Sequence, residues 1–303
     1  MLGENHVVFI KVYSWLSRDS FLAIADEANK QNIPFAGHVP SCVPVLEASD
    51  AGQKGMEHLY GIALACSARK EEIRNKLVKG GTSVTFPVLD HLEIEEAGAS
   101  YDEKKAARVF ALLAKNYTWQ VPTFAADLPD SRAFDTRVTS DPRLRYLPLS
   151  VQEQWSKRTA SVGGSSSWGK FSEQRQRMLG AMHRAGVSVL AGTDTAWYQP
   201  HTYAGFSLHD QLALLVQAGL TPIESLQTAT INPVRFLGME KDLGTIERGK
   251  IANLVLLDAD PFADIHNTTK ISEVFLAGKE FDRATLDEML KSAEAAAKSA
   301  VVQ

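Results

Sequence analysis

The sequence predicts an α/β fold: an incomplete (β/α) barrel followed by a small C-terminal β appendage and a terminal helix. Short apolar runs at residues 33–38 and 55–60 are each followed by a segment of helix length, which is typical of successive βα units. Each run also carries a histidine toward its C-terminal side, where parallel barrels assemble their chemistry. With 303 residues, 45% of them hydrophobic, the chain can bury one barrel-sized core and an appendage.

The first half of the chain supplies most of the predicted barrel strands. They lie at residues 7–13, 33–38 and 55–60 and in the run TWQVPTF, which Pro122 ends. Ser17 and Asp102 are predicted N-caps of amphipathic helices, because short polar side chains there can accept hydrogen bonds from the first helical turn. The run TSVTFPVLD is predicted as a short strand or an insertion, since its proline disfavours a central strand.

The second half of the chain changes pattern twice. Residues 125–169 are rich in Pro, Asp, Ser and Gly, which predicts an irregular insertion that is either a lid or a plain surface loop. A helix at 170–185 and a strand at 187–191 follow, and TPIE from Thr221 predicts a capping box. The strand-like runs ANLVLLDAD and ISEVFLAGKEF then precede an Ala-rich helix. Residues 1–240 are therefore assigned to the partial barrel, and 241–303 to the appendage with its helix.

The candidate site consists of side chains at predicted strand ends. Neutral imidazole is the commonest metal ligand, so His38 and His58 are candidate ligands, although one histidine alone is more often structural. Lys11 lies in an apolar run, where burying an ammonium is costly unless it has a function. Asp194 lies in the run AGTDT, which follows the strand at 187–191. Tyr13 is two residues after Lys11, hence on the same face of an extended strand, and is a candidate catalytic residue that hydrogen-bonds a substrate carbonyl or carboxylate.

Composition and motifs disfavour several function classes. The net charge of −4 gives no broad basic surface for nucleic acid. Cys42 and Cys66 lack CxxC spacing and form no disulfide framework. The N-terminus has no signal-peptide pattern and no run is apolar enough to span a membrane, so we expect neither. The GxSxG, GxGxxG and Walker patterns are absent. Ser67 and Lys70 match the Ser-x-x-Lys pattern of some esterases, but the partner motifs are missing, which indicates a chance match.

The ordered segments KVY, AGHVP, EHLYG, VPTF and AGTDT, with the long block from Leu208 to Pro261, resemble the amidohydrolase superfamily. Within it they resemble the imidazolonepropionase-like and prolidase-like branch, and the resemblance spans Val7 to Arg283. The resemblance implies a TIM-type barrel of which this chain holds strands four to eight, and a remnant of the family's β-sandwich at 241–303. It further implies a metal-dependent hydrolase of amide or ester bonds in small molecules such as dipeptides, lactones or carboxylic esters.

The same resemblance assigns roles to individual residues. Lys11 would be the lysine that is carboxylated to a carbamate, His38 and His58 the ligands of the next two strands, and Asp194 the aspartate of the last strand. The family's early His-x-His pair does not occur in this sequence, so we expect the chain to begin just before strand four. Carboxylated Lys11 and the two histidines would then hold one zinc ion, which leaves a fourth position for water. Asp194 is a further candidate metal ligand and could also serve as general base.

Two alternatives remain open at this point. With one ion, the carbamate can lose carbon dioxide; Lys11 would then be an ammonium that repels a cation, and a metal-free protein would retain only weak promiscuous esterase activity or none. An incomplete barrel also leaves strand edges uncovered. We therefore expect self-association into a homo-oligomer, with a small-molecule substrate and neither nucleic acid nor a membrane as partner.

Overall fold

The structure, a computed structural model, describes residues 7–80, 96–126, 140–162, 166–196 and 198–300. The chain divides into two compact units. The first comprises Met1–Pro122 and Glu173–Leu190, and the second comprises Thr123–Ser172 and Ala191–Gln303. The boundary between residues 240 and 241 that the sequence suggests stays a prediction.

The first unit is built on a parallel sheet. Its strands are β1 (Ile10–Val12), β2 (Phe35–Gly37), β3 (Gly55–Glu57) and β4 (Trp119–Val121), hydrogen-bonded in chain order. All the strands expected in this part are present but shorter, and β4 ends where Pro122 has no N–H to donate. The strand expected at 187–191 is reduced to one parallel bridge between Val189 and Gln120. The α/β class with a parallel sheet is thus confirmed, while the incomplete barrel stays a prediction.

Two helices of the first unit, those at Arg18–Lys30 and Glu103–Lys115, begin at the predicted N-caps. In chain order, the helices are α1 (Arg18–Lys30), α2 (Val45–Asp50), α3 (Ile62–Cys66), α4 (Lys70–Gly80) and α5 (Glu103–Lys115). Ser17 and Asp102 accept hydrogen bonds from backbone amides of the first turns of α1 and α5, which the helices themselves leave without partners. Phe21 of α1 packs edge to face against Phe35 of β2, so the apolar face of α1 covers the sheet. The run TSVTFPVLD lies outside the described residues.

The prediction of an irregular segment over 125–169 is wrong in much of its described part. Pro142–Tyr146 forms a short 3₁₀ helix, Leu149–Val162 forms α6, and α7 (Ser166–Arg184) begins earlier than expected. The polar residues that suggested a loop are used locally, because Asp141 caps the 3₁₀ helix and pairs with Arg143. Trp155 of α6 is almost fully buried against the ring of Tyr203. The sequence shows little apolar periodicity here, because a contact with a distant residue does not require a periodic pattern. A lid role for the segment stays a prediction.

The rest of the second unit follows the sequence signals closely. Its elements are α8 (Ser207–Gln217), α9 (Pro222–Ala229), α10 (Ile231–Leu237), β5 (Leu254–Leu257), β6 (Ile271–Leu276), β7 (Lys279–Phe281) and α11 (Arg283–Ser299). The capping box of Thr221 and Glu224 is present in α9. The strands β5, β6 and β7 form an antiparallel sheet, as expected for the appendage. Among the described helices, none combines the length and apolarity needed to cross a bilayer.

Candidate metal centre

The carboxyl ends of β2 and β3 deliver two histidines to one place. His38 follows Gly37, the last residue of β2, and its backbone N donates to the carbonyl O of Val12 at 3.1 Å. Gly37 has φ +127°, and a Cβ there would lie 2.3 Å from the same carbonyl oxygen. Only glycine therefore allows β1 and β2 to approach this closely immediately before the histidine.

The two imidazoles face each other through their Nε2 atoms, which are 3.0 Å apart. The side chains of His38 and His58 are only 6% and 10% exposed. Burial, reinforced by the charge of Lys11, lowers the pKa of His38 to about 4. Burial, and then the neighbouring His38, lowers the pKa of His58 to about 2. Both rings are therefore neutral near pH 7, which is the form that binds metal ions.

Glu57 brings a carboxylate to the same place. Its Oε2 atom lies 3.5 Å from Nε2 of His38, 3.7 Å from Nε2 of His58 and 2.8 Å from Nζ of Lys11. The ligand atoms of the two histidines and this glutamate all lie within 4.8 Å of one another. Glu57 was not among the residues predicted from the sequence, because neighbouring residues of a strand point to opposite faces. His58 and Leu59 have φ values of +60° and +57°, so the chain leaves the strand conformation at His58 and both side chains meet.

Ser14 and two tyrosines contact the two imidazole rings and help to orient them. Ser14 Oγ lies 2.6 Å from Nδ1 of His38, a hydrogen bond that keeps the opposite ring nitrogen directed at His58. The ring of Tyr13 stacks on His38 with centroids 4.3 Å apart, and the ring of Tyr60 lies 5.0 Å from that of His58. Tyr13 itself is 42% exposed.

Arg175 of α7 fixes the backbone at this end of the sheet. Its Nη2 atom donates to the carbonyl O of His58 at 2.6 Å and to that of Pro122 at 2.9 Å. The side chain is buried, and the two bonds join the ends of β3 and β4. No sequence signal pointed to this residue, because it lies 117 positions from His58 along the chain.

The donors fit one divalent ion of the zinc type. Two nitrogen ligands about 2.0 Å from a tetrahedral zinc are separated by roughly 3.3 Å, close to the 3.0 Å between the two Nε2 atoms. Two imidazoles and one glutamate are also a known catalytic zinc set. His38, Glu57 and His58 thus fit a divalent metal ion, while the set with carboxylated Lys11 stays a prediction.

The other predicted site residues have mixed outcomes. Lys11 reaches the histidine pair through Glu57, but its side chain is 52% exposed, so the expectation of a costly burial is wrong. Asp194 belongs to the second unit, is exposed and has φ +51°; its roles as ligand and base stay predictions. Ser67 is buried, lies 2.6 Å from Ser100 Oγ and accepts from the amide of Arg69, which is a structural use of the hydroxyl.

A parallel sheet that carries a histidine pair at neighbouring strand ends defines an α/β protein with a candidate metal centre. The particular family follows from comparison with known proteins. Residues 15–281 match the model of the amidohydrolase family, so the chain belongs to that family.

Individual relatives match over parts of their length. The chain is 37% identical to the imidazolonepropionase of Shouchella clausii (strain KSM-K16) over 103 residues, 33% of this chain and 22% of that protein. The structure of the bottromycin amidohydrolase AH superposes with a TM-score of 0.70 and 23% identity, covering 98% of this chain and 60% of that one. The structure of a Xaa-Pro dipeptidase with bound methionine in its active site superposes with a TM-score of 0.52 and 19% identity, covering 88% of this chain and 49% of that one. The chain therefore spans less than two thirds of these relatives, and the structural likeness shows the fold.

Proposed function

We propose that this protein hydrolyses an amide or ester bond of a small molecule at a single metal ion held between His38 and His58. The observation that carries the proposal is the pair of neutral imidazoles, 6% and 10% exposed, whose Nε2 atoms are 3.0 Å apart at the ends of parallel strands. The family membership supports hydrolysis, since the chain matches the amidohydrolase model over residues 15–281. The Xaa-Pro dipeptidase and imidazolonepropionase among its relatives support a small amide as substrate.

The residues of the centre have distinct tasks. A bound zinc ion would supply Lewis-acid chemistry, which polarises a carbonyl and makes water nucleophilic near neutral pH. His38 and His58 would hold the ion as neutral ligands, and Ser14 fixes the ring of His38. An anionic oxygen donor would complete the set, either carboxylated Lys11, as the family resemblance implies, or Glu57. For the general base, the prediction from the sequence stands: Asp194, a residue of the second unit.

The surroundings of His38 favour substrates with an apolar or aromatic group. Tyr13 stacks on His38 and meets Trp15 edge to face at 5.2 Å; Trp15 is 56% exposed. A cavity of about 50 Å³ adjoins the centre and has mostly apolar walls, with Ser14 and Tyr60 at the side of the histidines. Aromatic rings bind flat apolar groups through stacking, so Tyr13 is the proposed wall against which the substrate lies.

The test combines metal analysis with activity. Protein purified without chelator is compared with the variants His38→Asn and His58→Asn and with the surface control His266→Asn, using dipeptides, lactones and carboxylic esters as substrates. We expect about one zinc per chain in the wild type and the control. Each site variant should lose zinc and lose activity by at least about 100-fold, because one of three metal ligands is gone. Equal activity in all four proteins, or no zinc in the wild type, would refute the proposal.

A second candidate is a self-associating protein with weak hydrolysis or none. The observations that favour it are the ammonium of Lys11 beside Glu57, where it opposes a cation, and the position of β1 at the edge of the described sheet. The neighbouring Val8 and Phe9 are exposed, so an apolar edge is available to a second copy of the chain. Sedimentation velocity at micromolar concentration should show a homo-oligomer, and a purely monomeric boundary would exclude this association.

A further inference from the structure

We propose that Glu57 is the anionic ligand of the metal centre and that Lys11 acts there as an ammonium counter-ion, which the metal ion must displace. The inference rests on the proposed function and deepens it, since it names the residue that completes the donor set. It differs from what the family resemblance implies, where Lys11 is carboxylated and binds metal itself. In this proposal the ammonium of Lys11 and the metal ion compete for the carboxylate of Glu57.

The geometry favours Glu57 because its carboxylate already lies among the other donors. One oxygen, Oε2, is 3.5 Å and 3.7 Å from the two imidazole Nε2 atoms. No rearrangement of the strand is required to bring the three donors together, because their ligand atoms all lie within 4.8 Å of one another. The left-handed backbone at His58 and Leu59 produces this arrangement. Such conformations are costly for residues other than glycine and persist at functional sites when the surroundings hold them in place.

Lys11 is placed to neutralise the same oxygen when no metal ion is bound. Its Nζ atom lies 2.8 Å from Oε2 of Glu57, and its side chain is half exposed. A lysine in this position can move its ammonium into water at a small cost in free energy, because exposed ion pairs contribute little to stability. Metal binding would therefore exchange a weak ion pair for a metal–carboxylate bond.

Carboxylation of Lys11 would reverse this charge relationship. A carbamate at the end of Lys11 would place a second anion beside Glu57, where the structure has an opposite charge at 2.8 Å. Two negative groups this close repel each other, which disfavours the charged form of each unless a cation lies between them. A carbamate on Lys11 and the carboxylate of Glu57 would then compete to be the anionic ligand, and the Glu57 oxygen is the one that already lies 3.5 Å and 3.7 Å from the imidazole nitrogens.

The experiment measures zinc affinity rather than activity. Metal-free wild type, Glu57→Gln and Lys11→Met are titrated with Zn²⁺ against a chromophoric chelator at pH 7.5, in carbon dioxide-free buffer and with added bicarbonate. Glu47→Gln and Lys30→Met are charge-matched controls, because both residues form ion pairs on the surface of the first unit. Circular dichroism verifies that every variant is folded.

We expect Glu57→Gln to weaken zinc binding by at least about 100-fold, more than the loss of an outer hydrogen-bond partner. Lys11→Met should tighten binding by about fivefold, the size of a lost surface ion pair, and bicarbonate should change nothing. If Lys11→Met abolishes binding and bicarbonate tightens the wild type, the carbamate is the ligand; this inference is then wrong and the proposed function stands. The inference is also wrong, and the proposed function again stands, if Glu57→Gln binds zinc normally while His58→Asn does not. If the wild type binds no zinc at all, both the inference and the proposed function are refuted.

Discussion

Replacing Gly37 by alanine tests whether the close approach of β1 and β2 builds the centre. The backbone at Gly37 has φ +127°, and a Cβ would lie 2.3 Å from the carbonyl O of Val12 and 3.2 Å from Cγ of Lys11. The first contact is with the backbone of a paired strand, so only a movement of the strand can relieve it. Because His38 is the next residue, such a movement would also displace the first metal ligand.

The expected loss in the free energy of unfolding has two contributions. Holding a residue other than glycine at a positive φ costs about 1–3 kcal/mol, and overpacking against the neighbouring strand adds about 1–3 kcal/mol. The free energy of unfolding of Gly37→Ala should therefore fall by about 2–6 kcal/mol, measured by urea titration followed by circular dichroism. Zinc affinity should fall with it.

Gly186→Ala is the matched control within the same unit. Gly186 has φ +86°, but the nearest atom to its built Cβ is Cβ of Ala114 at 4.0 Å, an ordinary contact. The control should therefore lose only the backbone contribution of about 1–3 kcal/mol and keep its zinc affinity. Equal losses in the two variants, with zinc binding unchanged in both, would show that the approach of β1 and β2 does not position His38.

Two further predictions concern the same end of the sheet. Arg175→Met should lower the free energy of unfolding by about 2–4 kcal/mol, measured by urea titration, because the carbonyls of His58 and Pro122 lose a charged donor; a change below about 0.5 kcal/mol, the effect of an ordinary surface substitution, would contradict this. The second is that zinc-free protein should become less stable as the pH falls from about 6.5 to about 4, by up to about 1.4 kcal/mol per pH unit for His38, since its lowered pKa leaves the unfolded chain to bind the proton first. Chemical denaturation at several pH values should show that the free energy of unfolding depends less steeply on pH in His38→Asn than in the wild type. An unchanged dependence would refute the lowered pKa of His38.

Much of the local structure could be predicted from local signals. The caps at Ser17 and Asp102 and the capping box at Thr221 involve residues two or three positions apart, so the sequence shows them directly. The prediction for the segment around Trp155 is wrong for the opposite reason. Its helix is stabilised by a contact with Tyr203, which lies far away in the chain, and local polarity suggested a loop.

The sequence by itself determined the α/β class and the position of His38 and His58 after successive strands, because strand ends and helix starts depend on residues close together in the chain. The tertiary structure alone decided what surrounds them. Glu57 joins the histidines only because the backbone turns left-handed at His58, and Arg175 reaches the strand ends only through the packing of α7. Neither a left-handed backbone conformation at two residues nor a contact across 117 residues leaves a periodic pattern that a sequence can display.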